Sequence, residues 1–292
     1  MPVRCWHWFV ARFEEMNFRL KSGLSISYRT RGAGRPVVLL HPVGLRGAFW
    51  DQVVGELEAE IRLIVPDARG HGDSDVPSAA FSIEDMADDV IELLRAVGGI
   101  PTGLRAVVVG CSMGGMVAQA AALRAPELLA GFVVANTGFT RNDAGRATMQ
   151  ARAVAAHGGM PRVLDTTLSR WFSDDVRLHR PDLVLRARDW LLEADPVVHG
   201  WSWIAIRDLA HEATLPKVGL PALMIAGSHD QSTAPATVRA MAAAVPGAIY
   251  RELADTGHLA PLEKPKEFAA LLREFVASLP KHEDKSGECN DR

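Results

Sequence analysis

The sequence predicts an α/β fold: a mostly parallel central sheet flanked by helices, with a helical cap inserted between two late strands. Three observations lead there. Strand-like and helix-like segments alternate along most of the 292 residues. Several strand-length runs, such as Pro36-Val37-Val38-Leu39-Leu40, are apolar at successive positions, as a strand buried on both faces requires. The alternation lapses once, from Thr137 to about Leu215, and then resumes.

Each element has its own signal. Phe18 to Arg29 alternates in polarity and ends at Gly32-Ala33-Gly34, as a hairpin strand would. Pro36–Leu40 and Ile61–Val65 read as buried strands. Ser82 to Val97 has helical spacing, with Ile83, Met86, Val90, Leu93 and Leu94 on one side. Ser82 is a natural N-cap, and Asp85 three residues on makes a near capping box. Ala106–Val109 is a strand, Ser112 marks a sharp turn, and Met116–Ala125 is a helix of small residues. Gly131–Ala135 is the next strand. Residues 137–215 are rich in Ala, Arg, Leu and Trp and lack a strand run, so they read as the helical cap. Ala222–Ala226 and Ile249–Leu253 restore the strand pattern, and a last helix covers Pro265 to Leu279. The core is therefore expected over 16–136 and 216–279, after an extension of unassigned role (1–15) and before a polar, frayed tail (280–292).

Composition narrows the function. A chain that is 48% hydrophobic and 23% charged can bury one large core. A net charge of -3 with no basic block disfavours nucleic acid and anionic membrane as partners. Cys5, Cys111 and Cys289 form neither a disulfide framework nor a metal-ligand spacing, which fits a reducing cytoplasm. Residues 1–13 contain Trp6, Trp8 and Phe9 but are interrupted by Arg4, His7 and Arg12. They make a poor signal peptide and are too short to span a bilayer. Homo-oligomer formation is left open.

Four segments carry chemistry. Gly110-Cys111-Ser112-Met113-Gly114 follows a strand and precedes a helix, the context of a Gly-x-Ser-x-Gly nucleophile elbow. A serine hydroxyl needs a base to take its proton and a third group to orient that base. His258, in Thr256-Gly257-His258 after the last strand, is the candidate base. Asp230, in Gly227-Ser228-His229-Asp230 directly after Ala222–Ala226, is the candidate acid. The preceding strand ends in Asn136-Thr137 and offers no carboxylate. His41-Pro42-Val43-Gly44 follows the strand Val37–Leu40. A tetrahedral oxyanion needs two N–H donors; Met113 supplies one by position and Val43 is the natural second, since Pro42 has none. Each segment alone also reads as a plain turn or a surface histidine; the chain order Ser, Asp, His joins them.

With the four segments in order, the chain resembles the α/β-hydrolase superfamily from about Phe18 to Leu279. Asp67-Ala68-Arg69-Gly70-His71-Gly72-Asp73-Ser74 is similar to that superfamily's structural Asp-x-Arg-Gly-x-Gly-x-Ser segment. Within it, Ile83–Asp89, Val134–Thr137, Ala194-Asp195-Pro196 and Ala205–Asp208 are similar to the 3-oxoadipate enol-lactonases. His41-Pro42-Val43-Gly44 departs from the Asn-Ser-Leu-Gly frequent there, which keeps a broader carboxylesterase open.

The resemblance implies a small-molecule ester or lactone substrate attacked by Ser112, with no metal or organic cofactor. For a lactone bearing a carboxylate it implies a nearby cation, for which Arg141, Arg170 and Arg207 are candidates. Trp50, Trp190 and Trp203 are candidates to line an apolar pocket. Carbon–carbon bond hydrolysis, cofactor-free perhydrolysis and a non-catalytic small-molecule receptor remain alternatives. Dehalogenase and epoxide-hydrolase chemistry is disfavoured because both place Asp at the nucleophile position.

Overall fold

The computed structural model describes residues 13–57, 61–97 and 104–280. Eight strands form one sheet in the order β1-β2-β4-β3-β5-β6-β7-β8. They are β1 (Glu14–Arg19), β2 (Ser25–Arg31), β3 (Arg35–Leu40), β4 (Ile61–Pro66), β5 (Ala106–Cys111), β6 (Leu129–Ala135), β7 (Ala222–Gly227) and β8 (Ile249–Leu253). β1 and β2 run antiparallel to each other, and β2 runs antiparallel to β4. From β4 to β8 every pairing is parallel.

The predicted fold class is the observed one. β5, β6 and β7 are buried at every position, and β3 at all but its first, because helices cover both faces. On the covering layers, α2 (Ile83–Val97) packs on α3 (Met113–Arg124), and α1 (Asp51–Glu56) packs on α11 (Pro265–Ser278). Ser82 and Asp85 form the reciprocal cap at the start of α2: Asp85 N–H donates to Ser82 Oγ (3.0 Å) and Ser82 N–H to Asp85 Oδ2 (2.8 Å).

The N-terminal region corrects the sequence reading. The alternating run from Phe18 spans two strands, because the chain turns at Leu20–Leu24 as well as at Gly32-Ala33-Gly34. Leu20 and Leu24 pair through a 2.9 Å backbone hydrogen bond, and Gly23 takes φ +91°. The first strand also begins earlier than expected: Glu14 and Glu15 pair with Thr30 and Arg29. Most of the expected extension, and the tail beyond Pro280, lie outside the described residues.

Between β6 and β7 lie five helices: α4 (Asp143–Ala156), α5 (Leu164–Trp171), α6 (Asp174–His179), α7 (Pro181–Glu193) and α8 (Pro196–Arg207). α4 packs along α8. The neck of this insertion is clamped, since Thr140 and Ala210 form an antiparallel bridge and His211 N–H donates to Phe139 O at 2.7 Å. Short helices α9 (Pro235–Ala244) and α10 (Ala260–Glu263) complete the chain.

Candidate active site

The parallel strands end on one edge of the sheet, where α/β folds place their ligands. Four segments meet there. Ser112 sits between β5 and α3 with φ 53° and ψ -116°, a backbone geometry costing about 1–3 kcal/mol unless neighbours enforce it. They do. Ser112 N–H donates to Ala135 O (2.9 Å), and Ser112 O accepts from Thr137 Oγ1 (2.8 Å). The turn closes only with glycine at its two ends. A Cβ on Gly110 would strike the Gly114 carbonyl, and one on Gly114 would strike that of Leu40.

Ser112 Oγ lies 3.0 Å from His258 Nε2, and His258 Nδ1 lies 2.8 and 3.0 Å from the two oxygens of Asp230. All three residues are buried. A carboxylate only accepts, so His258 carries its proton on Nδ1 and turns the Nε2 lone pair to the serine hydroxyl. Asp230 accepts from a full set of donors: Ser232 N–H (2.7 Å), Thr233 N–H (2.9 Å), Asn136 Nδ2 (3.0 Å) and His258.

Two residues to which the sequence reading gave no role of their own support the site. Asn136, at φ 52°, donates to both Asp230 Oδ2 and Gly257 O (3.2 Å), joining the acid to the histidine loop. Glu263 accepts from Gly257 N–H at 2.9 Å; its burial pushes its carboxyl above the usual carboxylate range. The polar strand end at Asn136-Thr137 was the available signal, but it entered the reading as the absence of an acid and as part of the family resemblance, with no role for Asn136. Cys111 is buried and its thiol is pushed well up by burial, so it is no rival nucleophile.

The loop after β3 turns tightly. Leu45 N–H donates to Pro42 O (3.3 Å), and Gly44 takes φ +71° at the third position, as a type II turn requires. Among the described residues no hydrogen bond uses the N–H of Val43 or of Met113, the first residue of α3. His41 fixes this loop to the next one: its Nδ1–H donates to Pro42 O (2.8 Å) and its Nε2 accepts from Ala68 N–H (2.9 Å).

Ser112 and His258 open into a cavity of about 440 Å³. Arg141 and Trp203 line it, and so do Met116, Arg152, Trp171 and Thr233. Four of the expected residues do not: Arg170, whose neighbour Trp171 does line it, and three others. Trp50 is fully buried against Phe49 and Phe268, with ring centroids 5.0 and 5.7 Å away, because the helix it precedes turns inward onto α11. Trp190 faces a separate cleft with Arg46, Asp73 and Tyr28. Arg207 is held at the surface by Asp208 (2.8 Å). Among the described residues no group of three or more His, Cys, Asp or Glu is arranged to hold a metal ion. None of their helices is long and apolar enough to cross a membrane.

Comparison with known proteins decides the family. Residues 37–271 match the model of the alpha/beta hydrolase family. The chain belongs to that family. It is 27% identical to 3-oxoadipate enol-lactonase 2 of Acinetobacter baylyi, over 84% of this chain and 90% of that one. Among solved structures it is similar to the enol-lactonase from Burkholderia xenovorans LB400 (TM-score 0.83, 28% identity, covering 90% of this chain and 100% of that one). It is also similar to a thermophilic esterase from Thermogutta terrifontis (TM-score 0.82, 26% identity, 91% and 98% covered). This alpha/beta hydrolase therefore shares its whole architecture with enzymes named for ester and lactone cleavage.

Proposed function

We propose that the protein is a serine hydrolase that cleaves a carboxylic ester or lactone through an acyl-enzyme on Ser112. The observation that carries this reading is the unbroken line Ser112 Oγ–His258 Nε2, His258 Nδ1–Asp230. His258 takes the Ser112 proton as the hydroxyl attacks the carbonyl carbon. Asp230 stabilises the imidazolium that forms. The oxyanion is received by the N–H groups of Val43 and Met113, with α3 pointing its N-terminus at the developing charge. His258 then protonates the leaving oxygen, and a water activated by the same imidazole releases the acid. In a lactone the leaving oxygen stays tethered to the acyl group, so a single hydroxy- or keto-acid results.

In this reading residues 137–215 are the cap that selects the substrate, with Arg141 and Trp203 among its contacts and Ser112 on the core below. The names of the relatives favour a lactone such as 3-oxoadipate enol-lactone within the ester class. A panel of p-nitrophenyl esters, simple lactones and the enol-lactone tests this. Hydrolysis of at least one class, lost in Ser112→Ala, is expected. An enol-lactone kcat/KM far above the ester values places the protein with the lactonases, and no turnover on any member contradicts the reading.

A further inference from the structure

Many arginines among the described residues pair with carboxylates. Arg29 pairs with Asp51 (2.7 Å), Arg69 with Asp89 (2.6 Å), Arg124 with Asp88 (2.7 Å) and Arg239 with Glu252 (2.8 Å). Three half-buried arginines of the insertion do not. Arg141 donates only to the carbonyl of its neighbour Thr140 (2.7 Å). Arg152 lies over the Trp203 ring, 4.7 Å from its centroid, and otherwise reaches only Met149 Sδ at 3.8 Å. Its Nε, and that of Arg170, are buried without a partner among the described residues.

These cations are also near one another. Burial, then the charges of Arg170 and Arg141, hold Arg152 down at about 10, still protonated at neutral pH. Arg141 and Arg152 line the cavity that holds Ser112 and His258, and Arg170 directly precedes Trp171, which lines it too. No Asp or Glu is among the lining residues. A charge taken partly out of water is costly unless it is paired. Three such charges of one sign, gathered beside one cavity, call for negative charge brought by the ligand.

We propose that Arg141, Arg152 and Arg170 form a subsite for a dianionic part of the substrate, on the cap side of the cavity and away from the scissile carbonyl. One guanidinium satisfies a single carboxylate by a two-point fork; three of them match two carboxylates or one phosphate. This inference rests on the hydrolase reading for its meaning, since it assigns the acid product two charges beyond its new carboxylate. It narrows the substrates to esters or lactones of polyacids or of phosphorylated acids with one negative charge more than 3-oxoadipate enol-lactone, which is the singly charged member of the panel above. Trp203 and Met149 pack beneath Arg152 and hold its plane in place without neutralising it.

Calorimetric binding at low ionic strength tests the subsite without turnover. The probes are butyrate, glutarate, tricarballylate and phosphonoacetate. Glutarate or tricarballylate binding at least tenfold tighter than butyrate assigns the site to carboxylates; phosphonoacetate binding tighter than both assigns it to a phosphate-like group. Either result supports the proposal. Arg152→Met and Arg170→Met should each remove most of that preference, and Arg152→Lys should restore part of it. Arg207→Met, outside the cavity, should leave it intact. Melting curves of each variant show that it is folded. Equal affinity for butyrate and all three polyanions overturns the subsite, as does an undiminished preference in folded Arg152→Met and Arg170→Met. Failure of the hydrolase reading shows separately, as absent ester and lactone turnover with polyanion binding intact.

Discussion

Asp230 accepts hydrogen bonds from two backbone amides, from Asn136 and from His258. That many donors hold the carboxylate oxygens fixed. Asp230→Asn keeps the shape but presents an amide to His258 Nδ1, which favours the tautomer with its proton on Nε2. Turnover should fall by about 10⁴-fold with the fold intact, as read by steady-state kinetics and circular dichroism. Near-normal activity would move the acid elsewhere. The residues proposed to carry the chemistry were legible because each follows a strand and, within three residues, a glycine: Ser112 after Gly110, His258 after Gly257, Asp230 after Gly227. Asn136 and Glu263 were not, because their work is to bond backbone and carboxylate atoms that only the fold brings near. Trp50 misled because an aromatic side chain has the same composition signal in a pocket and in a core.

At the scale of elements, the loop after β3 packs tightly against the insertion. A Cβ on Gly44 would come within 2.7 Å of Leu191 Cδ1 and 2.9 Å of His199 Nδ1, from α7 and α8, and φ +71° disfavours any side chain there. Gly44→Ala should cost about 1 kcal/mol or more in urea unfolding and shift the donor at Val43, lowering kcat more than it changes KM. Unaltered kcat in the folded variant would show that this loop does not serve the reaction. The strands of the core were readable because burial on both faces leaves continuous apolar runs, as in Val107-Val108-Val109. The β1–β2 hairpin was not. Those strands lie at the sheet edge, half exposed, and polar alternation there runs on through the turn at Leu20–Leu24.

For the whole molecule, three buried histidines tie its parts together. His41 and His71 lie on the loops after β3 and β4, with ring centroids 5.2 Å apart, and His199 comes from α8. Burial above all, with positive neighbours adding to it, lowers His41 from 6.5 to about 4 and His71 and His199 to about 3. Each is neutral when folded. Unfolding lets each bind a proton below its ordinary value of 6.5, so the unfolded chain holds more protons and stability rises with pH. The stabilisation is complete above pH 6.5 and is lost as pH falls toward 3 to 4. The slope near pH 5 should approach about 4 kcal/mol per pH unit, about 1.4 from each histidine. Urea midpoints between pH 7 and pH 5 check this. A folded His199→Phe variant should show a shallower decline, and a flat profile would contradict the buried neutral cluster. The insertion from residue 137 to 215 stood out in the sequence as the place where strands stop. Its arginines, spread over residues 141 to 170, came near one another only in the folded insertion, with Arg141 and Arg152 on one cavity.

The central claim is that Ser112 is a nucleophile activated by His258. The most direct measurement is labelling of the folded protein with a fluorophosphonate, followed by mass spectrometry of the modified peptide. Stoichiometric modification at Ser112, abolished in Ser112→Ala and strongly slowed in folded His258→Ala, is the predicted result. Folded wild-type protein that resists the probe, or that is modified at another serine, would contradict it.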